Sequence, residues 1–299
     1  MTSEFNQNYD MSNRFGMSLN VEYLSGDTSR PEQALFGSPD NLLSALAGRG
    51  IGAIELHIVG ANTDTTLARR ALSVVLEHGM RVTVHGALPA PSEKRPVAEA
   101  LPALWAVLHD LKFVQDSVTV VVHAYNDYDK LRSETELAQA SVLALRDLSE
   151  SFRNTGLLVD IALENNRAQD RHDPSATFAG VIDMCRQAND PSLGVCWDFG
   201  HGHASHLIGC GEQIPPEEFI KKVRQTHIHD IGAAGRTHWP LTEQRLPLRK
   251  LITELAMSGY GGIWNLEISP ARFHDEPDAA QRYLDSIFLL RTAVAEVVK

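Results

Sequence analysis

Residues 192–205 read SLGVCWDFGHGHAS. An apolar alternation of Leu193, Val195 and Trp197 ends on Asp198, and His201 follows three positions later. An oxygen and a nitrogen donor delivered together at the end of an apolar segment suit a divalent cation. The pattern recurs: other apolar segments end on Glu55, His85, His123, Glu164, His227 and Glu267. Imidazole and carboxylate converging without cysteine make a site for Zn2+ or Mn2+ first, with Mg2+ or Co2+ as further candidates. Mixed donors with several carboxylates favour a catalytic ion with open positions over a closed structural zinc. Any one of these residues could be a cap or a solvated loop residue; the repetition is what carries chemistry. Glu55 reads equally well as a buried structural carboxylate and is assigned no role. His203 and His206 read as a surface pair at a helix start.

Such residues must be held by repeated elements. Apolar segments fall at 15–20, 52–58, 81–85, 117–123, 157–164, 193–198, 224–229 and 262–267. Between them lie helix-like stretches such as TTLARRALSVVLEH, ALPALWAVLHDL, ETELAQASVLALRDLSESFRN and PLRKLITELAMSG, with Gly79, Gly156 and Gly259 as helix C-terminal caps. Eight strand–helix pairs point to a parallel sheet closed as a (β/α)8 TIM barrel. The polar strand ends from Glu55 to Glu267 stand 29 to 41 residues apart, the length of one strand–helix unit.

Alternation sharpens the reading, because residues two apart share a strand face. Glu164 goes with Ala162 and Asp160, His123 with Val121 and Thr119, Asp198 with Cys196 and Gly194, and Glu267 with Asn265. The opposite faces, such as Leu163–Ile161–Val159 and Trp197–Val195–Leu193, are uniformly apolar. The mixed face belongs inside the barrel and the apolar face under the helices. The candidate ligands then sit inward at the C-terminal rim, where barrel active sites lie.

The 299 residues, 43% hydrophobic, suffice for one large domain, with 1–13 expected to be a flexible extension and 14–299 the barrel. The formal charge of −11 and the lack of a Lys/Arg run argue against a nucleic-acid partner. The polar start carries no apolar core of a signal peptide, and no run approaches the roughly 20 apolar residues of a membrane span. Three cysteines without a Cys-x-x-Cys pair suit a reducing, cytoplasmic setting. Oligomeric state is not legible, and a homo-oligomer is compatible with all of this.

Four segments, IALENN, VCWDFGH, THIHD and WNLEIS, in this order on the last four strands, resemble the xylose-isomerase-like TIM-barrel superfamily. It holds sugar (phosphate) isomerases and epimerases, inosose dehydratase-like lyases, and apurinic endonucleases of the endonuclease IV type. The resemblance covers roughly residues 15 to 295. It implies a metal site of Glu164, Asp198, His227 and Glu267. His201 matches the histidine of the family's Asp-x-x-His, which meets substrate in the epimerases and another metal in the endonucleases. His85 and His123 match histidines of the endonuclease-like branch, and with Glu164 as a bridge they could hold a second ion. The region after strand seven keeps His227, Asp230, His238, Pro240 and Glu243, with His238 a further candidate ligand. It departs from the family in having Arg236 in place of an aspartate, and Thr242 and Gln244 in place of two glycines. A guanidinium has no lone pair to offer a cation, so a third ion is not expected. His229 reads as exposed or as a support to a ligand. Asn165 and Asn265 could orient carboxylates or simply satisfy polar groups inside the barrel.

These residues imply a metal-dependent isomerase or epimerase of a small sugar, keto-polyol or sugar phosphate. Glu164 and Glu267 would exchange a carbon-bound proton through a metal-stabilised enediolate, and His201 would hold a substrate oxygen. The same apparatus with a leaving hydroxyl would be a dehydratase. The alternatives are a phosphodiesterase of the apurinic endonuclease type and a non-catalytic sugar binder. Substrate choice would lie in the loops at 86–96 and 165–174, where Arg95, Arg167 or Arg171 could meet an anionic group.

Overall fold

The computed structural model describes residues 14–298; the expected flexible segment 1–13 lies outside them. Eight strands form one sheet: β1 (Phe15–Asn20), β2 (Ala53–His57), β3 (Arg81–His85), β4 (Ser117–Val122), β5 (Leu158–Glu164), β6 (Leu193–Asp198), β7 (Val223–His227) and β8 (Trp264–Leu266). Their order is β7-β6-β5-β4-β3-β2-β1-β8. Parallel bridges Gln225–Ile263 and Ile228–Leu266 join β7 to β8 and close the ring into a (β/α)8 barrel.

Helices fill every crossover. α1 (Val21–Leu24), α2 (Pro31–Phe36) and α3 (Pro39–Ala47) follow β1, and α4 (Thr65–Glu77) follows β2. α5 (Val97–Ala100) and α6 (Pro102–Leu111) follow β3, α7 (Glu134–Arg153) follows β4, and α8 (Phe178–Ala188) follows β5. α9 (Phe199–Leu207) and α10 (Glu217–Lys221) follow β6, α11 (Leu248–Met257) follows β7, and α12 (Ala279–Val297) follows β8. The longest of them, α7, starts on a capping box in which Ser133 and Glu136 each take up the other's backbone N–H. Gly79, Gly156 and Gly259 adopt φ of 68°, 78° and 80°, the left-handed turn by which a helix stops without a Cβ clash.

The strand alternation resolves into two cores. Leu163, Val195, Trp197, Trp264 and Leu266 point outward into the main core beneath the helices. Val121, Ala162 and Cys196 form a separate small cluster inside the barrel. Small inner residues leave room above them for the longer polar side chains of the rim. His123, His229 and Glu267 fall one or two residues beyond the regular strands, where the backbone turns into loops. Glu267 is still fixed, because its N–H donates to the Ile228 carbonyl at 3.0 Å. Among the described residues, no helix is long and apolar enough to cross a membrane.

Candidate active site and metal centre

The site has a floor and a rim. On the floor, Glu55 is fully buried at the barrel's centre. It accepts from Ser18 Oγ at 2.7 Å, Gln225 Nε2 at 3.2 Å and Asn265 Nδ2 at 3.3 Å. His227 Nε2 lies 2.9 Å from one of its oxygens and 3.1 Å from the other. Asn265 therefore serves the floor and not Glu267. Asn165 also leaves the carboxylates alone: it clamps the Asp198 backbone, accepting its N–H at 2.9 Å and donating to its carbonyl at 3.0 Å.

On the rim, the ligand atoms of Glu164, Asp198, His227 and Glu267 all lie within 4.8 Å of one another. They come from the ends of β5, β6, β7 and β8. His227 Nδ1 is 3.1 Å from Glu164 and 3.2 Å from Glu267. Yet His227 Nδ1, both oxygens of Glu164 and Oε2 of Glu267 are buried without a hydrogen bond. The atoms are close enough to bond but face one another with lone pairs. Buried acceptors that converge in this way need a shared positive partner. Three carboxylates with one imidazole fit a divalent cation of the Zn2+ or Mn2+ kind.

The electrostatics agree. Burial pushes the Glu164 carboxyl up, but His123 and His227 outweigh it and hold the group well below the usual carboxylate range. Glu267 is held down in the same way, against its burial, by His227 and His238. His227 is raised well above the ordinary imidazole range despite burial, by its anionic neighbours. Without a cation a proton must sit among these groups, so a metal ion and that proton compete for one place.

Asp198 also caps α9, accepting the His201 N–H at 2.6 Å. That first turn brings His201 Nδ1 to 3.2 Å from Asp198, 3.3 Å from Glu164 and 3.3 Å from the Asn165 carbonyl. All three can only accept, so Nδ1 carries a hydrogen. Burial would lower the pKa of His201, but Asp198 and Glu164 raise it to about 9, leaving the ring a donor at neutral pH. Gly200 permits this turn, since a Cβ there would stand 1.9 Å from the His229 ring.

His85 is buried between two acceptors, with Nδ1 3.3 Å from the Gly86 carbonyl and Nε2 3.3 Å from Glu164. His123 Nε2 lies farther from Glu164, at 3.7 Å, and the tight four-donor group does not include it. Burial lowers the pKa of His123 to about 4. His238, with φ of 64°, sets its Nε2 3.4 Å from Glu267 and its own N–H on His229 Nδ1 at 2.9 Å. Its pKa is likewise lowered to about 4, chiefly by burial.

His229 is fully buried, not exposed. Because its Nδ1 accepts the His238 N–H, its Nε2 carries the hydrogen and donates to Asp198 at 3.1 Å. It supports Asp198. His203 corrects the expectation of a surface pair: it is buried with Nε2 at 3.1 Å from the Arg245 carbonyl, and only His206 is exposed. Arg236 is exposed. Arg95 is paired with Glu93 and Arg171 with Asp173, while Arg167 donates to the Gly235 carbonyl.

Sequence reasoning passed over His57. Its Nε2 lies 3.1 Å from Glu267 and its ring stands edge-on to His85 at 4.9 Å. The signal was present, since His57 shares its strand face with Glu55 one rung closer to the rim.

No curated protein matches the chain significantly in sequence. The structure resembles D-psicose 3-epimerase from Clostridium cellulolyticum H10, at 15% identity and a TM-score of 0.62, covering 93% of this chain and 99% of that one. It also resembles 3-keto-D-glucoside 4-epimerase from E. coli, at 17% identity and a TM-score of 0.61, covering 93% and 99%. An L-ribulose 3-epimerase matches at 14% identity and a TM-score of 0.60, covering 95% of each chain. At such identities the likeness establishes the fold. Residues 43–292 match the model of the xylose isomerase-like TIM barrel, and the chain belongs to that family.

Proposed function

We propose that the protein is a divalent-metal-dependent epimerase or isomerase of a small keto-sugar, keto-polyol or sugar phosphate. The observation that carries this is the pair Glu164 and Glu267, which meet across His227 Nδ1 with oxygens that no hydrogen bond occupies. Glu164, Asp198, His227 and Glu267 would hold the ion. Once bound, it would polarise a substrate carbonyl and the neighbouring hydroxyl.

The side chains supply the rest. One of Glu164 and Glu267, ionised, removes the proton from the carbon beside the carbonyl. The other takes up a proton from solvent and returns it to the opposite face, so the carbon gains one proton for the one it loses. His201, a donor held by Asp198 and Glu164, grips a substrate oxygen. His57 and His238 flank Glu267 and limit where substrate approaches it. The named epimerases that share the fold support this class of reaction.

Replacing Glu267 by Gln keeps the shape and one oxygen while removing the proton acceptor. Solvent deuterium incorporation into substrate should fall by roughly 100-fold or more; unchanged incorporation would place the base elsewhere. A second reading, metal-dependent phosphodiester cleavage, draws on His85 and His123 beside Glu164, which could hold a second ion. The charge of −11 and Arg236 in place of a ligand oppose it. The protein should bind one ion, or two with His85 and His123, and leave abasic duplex DNA intact. Three tightly held ions or robust nicking would reverse the preference.

A further inference from the structure

Glu55 takes no part in the proposed chemistry, yet it is a carboxylate buried at the centre of the barrel, where an isolated charge is costly. Its surroundings are specific. Ser18 on β1, Gln225 and His227 on β7, and Asn265 beyond it on β8 all converge on its two oxygens. The two amide nitrogens can only donate, so Glu55 is the acceptor of both.

An acceptor on one side of an imidazole decides what the other side offers. Glu55 lies 2.9 Å and 3.1 Å from His227 Nε2, so that nitrogen carries the hydrogen. A neutral His227 then presents its lone pair on Nδ1, the atom that faces Glu164 and Glu267. Resting on the reading of this rim as a metal centre, we propose that Glu55 is its positioning residue: from the barrel floor it fixes the tautomer and orientation of His227, so that Nδ1 is the ligand. Carboxylates behind metal-bound histidines act in this way, and their loss typically costs 10- to 100-fold in metal affinity.

The floor is built to keep Glu55 from moving. Ser18 Oγ bridges it to Asn265, accepting from Asn265 Nδ2 at 2.8 Å while donating to Glu55. Gln225 Nε2 reaches both Glu55 and Thr83 Oγ1, the latter at 3.4 Å. The carboxylate is thus tied to β1, β3, β7 and β8, and the His227 ring inherits the rigidity of those strands.

Two measurements test this. First, the full chain with 15N-labelled histidine is loaded with Zn2+, and long-range 1H–15N spectra assign which His227 nitrogen is protonated. Hydrogen on Nε2 with zinc on Nδ1 is expected; the reverse arrangement overturns the proposal, and this result does not depend on any variant folding. Second, Glu55→Gln is titrated with Zn2+ by calorimetry, its fold being checked by circular dichroism. A roughly 10- to 100-fold loss of affinity and a mixed tautomer at His227 are expected. Wild-type affinity in Glu55→Gln overturns the proposal while leaving the metal centre standing. Failure of the wild-type chain to bind any divalent ion overturns both.

Discussion

Asp198 does two jobs with two oxygens. One caps the N-terminus of α9 and the other faces His201 and His229. Asp198→Ala therefore removes a candidate ligand and a cap together. It should abolish tight metal binding and also lower stability by roughly 0.5–2 kcal/mol, the usual worth of a cap. Asp198→Asn retains a capping oxygen, so it should lose metal affinity with a smaller loss of stability. Calorimetric titration beside denaturant unfolding separates the two; wild-type affinity in both variants would mean the site is misplaced. Residue types and alternation made Glu164, Asp198, His201, His227 and Glu267 readable in the sequence. Glu55 was visible as a strand-end carboxylate but its role was not, and His57 was passed over, because the meaning of both depends on side chains that approach from other strands. His229 was hidden for a related reason: only a backbone N–H from His238 fixes its tautomer.

At the scale of elements, eight apolar runs with alternating faces were enough to trace every strand, since one face must be buried under helices whatever the loops do. The strand ends were less legible, because a loop can hold a residue such as Glu267 in place after the ladder has stopped. The turn from β6 into α9 is the joint on which the site depends. A methyl group at position 200 would fall 1.9–2.7 Å from the His229 ring. Gly200→Ala must therefore push α9 or His229 aside, at a cost of about 1–3 kcal/mol. The expected result is a folded barrel with weakened metal binding; a variant with wild-type affinity and stability would show that α9 and β7 are not tightly registered. The loops at 86–96 and 165–174 gave the sequence no pattern to read, and their arginines prove to be bound within the loops or to nearby carbonyls.

For the molecule as a whole, the histidines of the site, His201 buried and His123 and His238 half-buried, make stability depend on pH in opposite directions. His123 and His238 have their pKa lowered from 6.5 to about 4. As pH falls from 6.5 to 4 the unfolded chain takes up protons that the fold refuses, so stability is lost. His201 is raised from 6.5 to about 9. Its contribution is complete below pH 6.5 and is lost as pH rises through 9. The metal-free protein should be most stable near pH 6.5, with melting temperatures falling on both sides. A thermal unfolding series from pH 4 to pH 9 checks this, and a flat profile would contradict the shifted pKa values of these rings.

The most direct test of the central claim follows carbon-bound hydrogen. The metal-loaded protein is incubated in D2O with a panel of small ketoses, and proton NMR is recorded at the carbon beside the carbonyl. At least one ketose should gain deuterium there and yield its epimer or aldose isomer, and removal of the metal by a chelator should stop both. Failure of every ketose to exchange, with the metal shown to be bound at Glu164, Asp198, His227 and Glu267, would contradict the account.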